Sequence, residues 1–291
     1  MATKNIAKND EVKWQDKNTF ELTITISAST IKAKYQEALK EAAATMDLPG
    51  FRKGKAPLNL VEEKISKDAV YQKALEKALP EAYSQAIKEN KLSPIIEPQI
   101  SLVSAEEDKD WIFKAVSCRL PEITLTAYKG EVKKINAKEK IWTPGKDTEK
   151  PTPEQEEKEK QERLQLILKK IIEIVKLEIP KILIEAEVNK KLSSLVDQVQ
   201  KTGMTIDQYM ATKKTTIDQL KEQYKKEIEE SIKIELILEK IANEENIQIG
   251  KEEIDRIVGS AKQEKSASQP NPYLIAQVLR RQKILVHLLN L

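Results

Sequence analysis

Residues 48–57 read LPGFRKGKAP, and their types can make a contact site. The planar guanidinium of Arg52 can fork onto a carboxylate or a phosphate, while Lys53 and Lys55 add compact positive charges. Phe51, between a glycine and that Arg-Lys pair, is the kind of aromatic that anchors an interface once a partner buries it. Pro49 and Pro57 lock φ, and Gly50 and Gly54 permit positive φ, so the stretch is a loop of defined shape. Two readings stay open on these residues alone. The loop is either a helix-to-helix connector with incidental cations, or a tip whose glycines keep bulk away so that Phe51 and the cations reach a partner. Such a tip suits one localised contact, not a long nucleic-acid track.

Other chemistry is sparse. His287, the single histidine, sits in VHLLNL and fits a terminal-helix position facing core or solvent. Cys118, the single cysteine, lies in the alternating run Val116, Cys118, Leu120 and fits a small packed apolar side chain. No His/Cys group has metal-ligand spacing, and neither G-x-x-x-x-G-K-[ST] nor G-x-G-x-x-G occurs. The many carboxylates lie in Lys/Glu-rich helical patterns, where they form solvated faces or i,i+4 pairs. The inventory predicts no enzyme, no cofactor and no metal site.

The loop must be carried by the elements around it. Residues 14–26 alternate, with Phe20, Leu22, Ile24 and Ile26 on one face, which predicts a strand. A helix follows over about 30–46, with Ile31, Tyr35, Leu39, Ala42 and Met46 at helical spacing, and the loop ends it. Pro57 suits the first turn of the next helix. Another helix is predicted over about 67–89, kinked or interrupted at Pro80. Strand character returns in IIEPQISLV (95–103) and WIFKAVSCRL (111–120). Strand, helices, then strands predict an α+β unit with an antiparallel sheet packed by helices, placed at 1–128.

Residues 129–161 are charged and Pro-bearing and read as a linker running into the solvated start of a helix. From 162 to 291 the pattern is helical, with stripes such as Leu164/Leu168/Ile171/Val175 and Val188/Leu192/Val199. TIDQ occurs at 205–208 and at 216–219, each a capping-box pattern. The pair reads as two helix starts, with a short repeat as the alternative. The predicted fold is thus an α+β N-terminal domain followed by an elongated all-α C-terminal domain with helical arms.

Across 291 residues, 50 basic against 47 acidic residues leave a formal charge of +3, too mild for a binder of bulk nucleic acid. The first twenty residues hold charges and no apolar core of a secretory signal, and no run approaches a transmembrane span. These features predict a cytoplasmic protein without a membrane partner.

Gly50, Phe51, Arg52, Gly54 and Pro57 meet the pattern G-F-R-x-G-x-x-P in full, and through them the chain resembles the trigger factor family of ribosome-associated bacterial chaperones. The similarity extends to the preceding strand and helix, to the helices after the loop and to WIFKAVSCRLPEITL. It returns at about Arg163 and includes EIPKILIEAEVNKKLSSLVDQVQKTGMTIDQYM and TTIDQLKEQYKKEIEESIKIELILEKIANEENIQI. Full-length relatives carry an FKBP-like prolyl isomerase domain in between. Here only the short charged stretch between Gly130 and Arg163 is present, too little for such a domain.

The resemblance implies an ATP-independent chaperone that shields nascent polypeptides. It would dock at the ribosomal exit tunnel, against a rim protein and nearby ribosomal RNA, through Gly50, Phe51, Arg52, Lys53, Gly54, Lys55 and Pro57. Met204, Tyr209, Met210 and Tyr224 fall where the family's arms lie and are candidates for client contact, with core packing as the competing role. Relatives can form a homodimer when free. The alternatives are a ribosome-independent holdase or assembly scaffold, and a prolyl isomerase as in longer relatives. General RNA binding is disfavoured by the charge balance.

Overall fold

Alternation of apolar residues near the start of the chain builds a four-stranded antiparallel sheet, β1 (Val12–Trp14), β2 (Thr19–Ile26), β3 (Gln99–Ser104) and β4 (Trp111–Cys118), in the order β1-β2-β4-β3. The computed structural model describes residues 11–47, Phe51, Gly54, 57–138, 152–263 and 271–291. The chain divides into two compact units, Met1–Leu120 and Pro121–Leu291.

In the first unit the strand expected over 14–26 is a hairpin. Asp16 bends the chain, its Oδ1 accepting from the backbone N–H of Asn18 and of Thr19, both at 2.7 Å. In the long β2–β4 pairing Leu22 lies opposite Ala115, Ile24 opposite Phe113 and Ile26 opposite Trp111. Phe20, Leu22, Ile24 and Ile26 are fully buried on that face. Over them lies α3 (Lys67–Glu89), whose Ala78, Ala82 and Ala86 let the helix approach the sheet closely. A second cluster joins Tyr35, Ala38 and Leu39 of α1 (Ala28–Thr45), Val61 of α2 (Leu58–Lys64) and Val70 and Ala74 of α3.

The interruption expected at Pro80 does not occur: α3 runs through it. A mid-helix proline costs about 3 kcal/mol in isolation. Here buried alanines on both sides of Pro80 hold the helix to the sheet and offset that loss.

In the second unit, α4 (Tyr128–Lys138) and α5 (Pro153–Ile174) are followed by α6 (Lys181–Lys201), α7 (Ile206–Lys213), α8 (Ile217–Glu244), α9 (Lys251–Gln263) and α10 (Pro272–Asn290). The linker expected over 129–161 is therefore helical at both ends; residues 139–151 lie outside the described residues. Tyr128, Val132 and Asn136, four apart, form a buried stripe that composition concealed beneath exposed lysines. Ile167 and Ile171 of α5, Ile237 and Ile241 of α8, and Ile284 and Leu288 of α10 supply the apolar interior. Asn136 donates from Nδ2 to the Leu288 carbonyl at 3.0 Å, a buried polar link between α4 and α10.

Among the described residues, three helix starts carry complete capping boxes, at Thr152/Gln155, Thr205/Gln208 and Thr216/Gln219, so both TIDQ segments start helices. Gly203 follows α6 with φ +77°, the left-handed conformation expected after a helix end. No described helix is long and apolar enough to cross a membrane.

Candidate functional site

The loop after α1 is held by its ends. Met46 closes α1, its N–H donating to the Ala42 carbonyl at 3.0 Å. Pro57 occupies the N-cap of α2 rather than its first turn, and its carbonyl accepts from the N–H of Leu60 and of Val61. Val61 is fully buried, so the far end of the loop is tied to the core. Gly54 has φ +75°, and a Cβ there would stand 3.2 Å from the Ala44 carbonyl oxygen. The loop thus returns against the last turn of α1 at a point where a side chain is excluded by conformation and crowded by space.

Phe51 is 41% exposed, although its ring is the largest apolar group in the loop. Gly50, Arg52, Lys53 and Lys55, the other expected contact residues, lie outside the described residues. Below the loop, the Tyr35 hydroxyl donates to Glu62 of α2 at 3.1 Å. Burial, reinforced by that carboxylate, pushes the Tyr35 phenol up to about 12.

The four residues expected to meet clients differ in exposure. Met204 is exposed in the turn between α6 and α7, and Tyr209 is half-buried on α7 with Lys213 Nζ 5.9 Å from its ring centre. Met210 is buried on α7. Tyr224 on α8 is half-buried beneath Lys191 of α6, whose Nζ lies 4.1 Å from the ring centre and 2.7 Å from Glu227.

A larger apolar surface lies on α10. Tyr273, Leu274, Val278 and Val286 are exposed. The signal was present: PYLIAQVLRRQKILVHLLN is apolar nearly all round, more than a single buried stripe requires. Between α8 and α10 runs a groove of about 710 Å³, with Leu238, Ile247, Val278 and Ile284 in its walls and Glu239 and Arg281 beside them.

Neither lone residue with catalytic chemistry is set up for catalysis. Cys118 is buried, and burial pushes its thiol up to about 11, the wrong direction for a nucleophile. His287 Nε2 lies 3.6 Å from Glu245, whose carboxylate already takes Lys129 at 2.6 Å and the Tyr128 hydroxyl at 3.1 Å. The hydrogen bond from Lys129 holds the Glu245 carboxyl below its ordinary range against the opposing cost of burial. These groups tie α4 to the end of α8. Among the described residues, no three His, Cys, Asp or Glu side chains could hold a metal ion.

With this geometry in view, the chain is 41% identical over 119 residues to the trigger factor of Lactiplantibacillus plantarum, covering 40% of this chain and 27% of that protein. It is 36% identical over 160 residues to the trigger factor of Levilactobacillus brevis, covering 54% of this chain and 35% of that protein. The matches span about a third or less of the length of these curated relatives. A solved structure, described as promiscuous substrate recognition in folding and assembly activities of the trigger factor chaperone, matches 96% of this chain and 99% of its own length. Its TM-score is 0.63 at 16% identity, a likeness of fold. The family model for bacterial trigger factor protein matches residues 9–167, and the model for its C-terminus matches residues 148–286. Carried by these two overlapping matches, the chain belongs to the bacterial trigger factor family.

Proposed function

We propose that this protein is an ATP-independent chaperone that docks on the ribosome through residues 48–57 and shields nascent polypeptides in the cytoplasm. The observation that carries the reading is the loop itself. An exposed Phe51 sits in a segment pinned by a positive-φ Gly54 and by Pro57, with Arg52, Lys53 and Lys55 in the same ten residues. In this reading the first unit is the ribosome-docking domain. The second holds clients on Met204, Tyr209 and the exposed face of α10, and Tyr224 supports the packing of α6 on α8. Phe51 enters a pocket on a rim protein, and the cations meet carboxylates or ribosomal RNA phosphates. Catalysis plays no part: the two family matches overlap at 148–167, which supports a chain without an inserted isomerase domain.

Co-sedimentation with empty and translating ribosomes tests this, wild type beside the Phe51→Ala/Arg52→Ala/Lys53→Ala variant. The variant is expected to stay in the supernatant with unchanged helicity. If the loop neutralises about two phosphates, wild-type affinity falls roughly tenfold between about 50 and 200 mM salt. Equal pelleting of the two proteins overturns the docking assignment. A variant that leaves the ribosome yet suppresses client aggregation as before keeps the chaperone reading and separates it from docking.

A further inference from the structure

The sheet of the first unit has two edges, and they are built differently. At one edge, β1 is three residues long and carries Lys13 in its middle. Short length and a lysine are ordinary means of blunting an edge against pairing. At the other, β3 reads QISLVS over Gln99–Ser104, without a charge or a proline, and five of its six residues are exposed. No described strand pairs with its outer side.

The exposed side chains of β3 lie on the wrong face for a solvated strand. Ile100 pairs with Ala115 and Leu102 with Phe113, so both stand on the face that forms the core elsewhere in the sheet. Yet Ile100 is 42% and Leu102 57% exposed. The alanines of α3 cover β2 and β4, and the apolar face of the sheet continues past that cover. Beside it runs a groove of about 1060 Å³ walled by Tyr71, Leu75 and Leu79 of α3, by Ile100 and Leu102, and by Trp111. The Tyr71 and Trp111 rings meet at 5.2 Å, and the Trp111 Nε1–H donates to the Glu106 carbonyl, which fixes that wall. Among the described residues lining the groove, Asp68, Glu76, Glu97 and Glu107 stand against one cation, Lys67, which lies 4.0 Å from Glu107.

We propose that β3 accepts an extended segment of unfolded polypeptide as an added strand, one in which apolar residues alternate with lysine or arginine. Strand addition satisfies outward backbone groups along Gln99–Leu102, up to the register shift between Leu102 and Ser104. Alternate side chains of the guest enter the groove between β3 and α3, and its cations meet the acidic rim. The site is built from residues outside the docking loop and gives the first unit a client contact of its own.

The test uses the full chain and a synthetic peptide alternating valine with lysine, read by titration and by amide hydrogen exchange. Binding with new protection confined to Gln99–Leu102 is expected. A valine–glutamate peptide should bind about tenfold more weakly or worse. Ile100→Lys/Leu102→Lys should lose the valine–lysine peptide by a similar factor, since both positions are exposed and the fold tolerates them. If that variant fails to fold, the exchange pattern of the wild type decides alone. Protection elsewhere, equal binding of the acidic peptide, or an unaffected folded variant overturns the proposal. So does protection of β3 that depends only on protein concentration, which would make a second copy the occupant, or protection by an RNA oligonucleotide instead of the peptide. Ribosome co-sedimentation of Ile100→Lys/Leu102→Lys should remain, so failure here and failure of the docking loop are distinguishable.

Discussion

In the first unit, Phe20, Leu22, Ile24 and Ile26 lose all exposure beneath an alanine-lined helix; in the second, Tyr273, Leu274 and Val278 of α10 stay more than half exposed. The contrast follows from the elements available. This sheet has one apolar face to cover, and α3 with α1 covers β2 and β4, leaving β3 and Trp14 of β1 open at the edges. A set of amphipathic helices must divide its apolar faces among neighbours. α10 carries more apolar surface than the helices packed on it can hide. In the proposed reading the first unit concentrates its contacts in one loop and one edge, whereas the second spreads them along helix faces. Spread contacts suit many clients weakly held, and a shaped tip suits one partner.

The largest effect that tests this contrast is in the sealed interior. Phe20→Ala should destabilise the first unit by about 3–5 kcal/mol, read from denaturant unfolding and amide exchange of β2 and β4. Exchange in the helices of the second unit should not change. A loss below about 1 kcal/mol would mean that the sheet face is less tightly closed than its burial indicates.

A smaller effect is expected where polar groups tie the second unit together. Glu245→Gln should cost about 1 kcal/mol near neutral pH, since Lys129 is half-exposed and screened. The Glu245 carboxyl titrates lower in the folded chain than in the unfolded one. Its contribution is thus complete above the ordinary carboxylate range and disappears as pH falls through the lowered value. Melting wild type and variant at pH 6 and pH 3 checks the sign: the two midpoints should converge in acid. A gap that stays constant removes Lys129 as its source.

The smallest change in stability, within about 0.5 kcal/mol, is expected for Leu274→Ser/Val278→Ser on the exposed face of α10. The same variant should suppress aggregation of an unfolded client less well than wild type. Marked destabilisation with unchanged suppression would return this face to the core and erase the difference between the units.

Much of this was legible in the chain itself. The apolar stripes of α1 and α3, the β4 alternation and the TIDQ helix starts depend on near neighbours, and near neighbours are what sequence periodicity reports. The helix α4 was hidden because its buried stripe is Tyr128, Val132 and Asn136, one of them polar, among lysines. Asn136 belongs inside only because the Leu288 carbonyl, far along the chain, accepts from it. Within the candidate site, the loop was visible as a motif, yet the role of Gly54 needed the position of Ala44. The open face of β3 could not be read at all. Ile100 and Leu102 look like any buried strand residues, and only the reach of α3 leaves them bare. Met210 shows the reverse, a residue expected at the surface of an arm and found buried.

The three capping boxes each close with threonine and glutamine, and neither side chain ionises. A glutamate in the same place would release its bond on protonation and weaken in salt. Between α6 and α8 the chain therefore turns twice, at Thr205 and Thr216, through bonds that neither acid nor ionic strength unfastens. While Glu245 gives way in acid, the two bends between α6 and α8 should keep their angles.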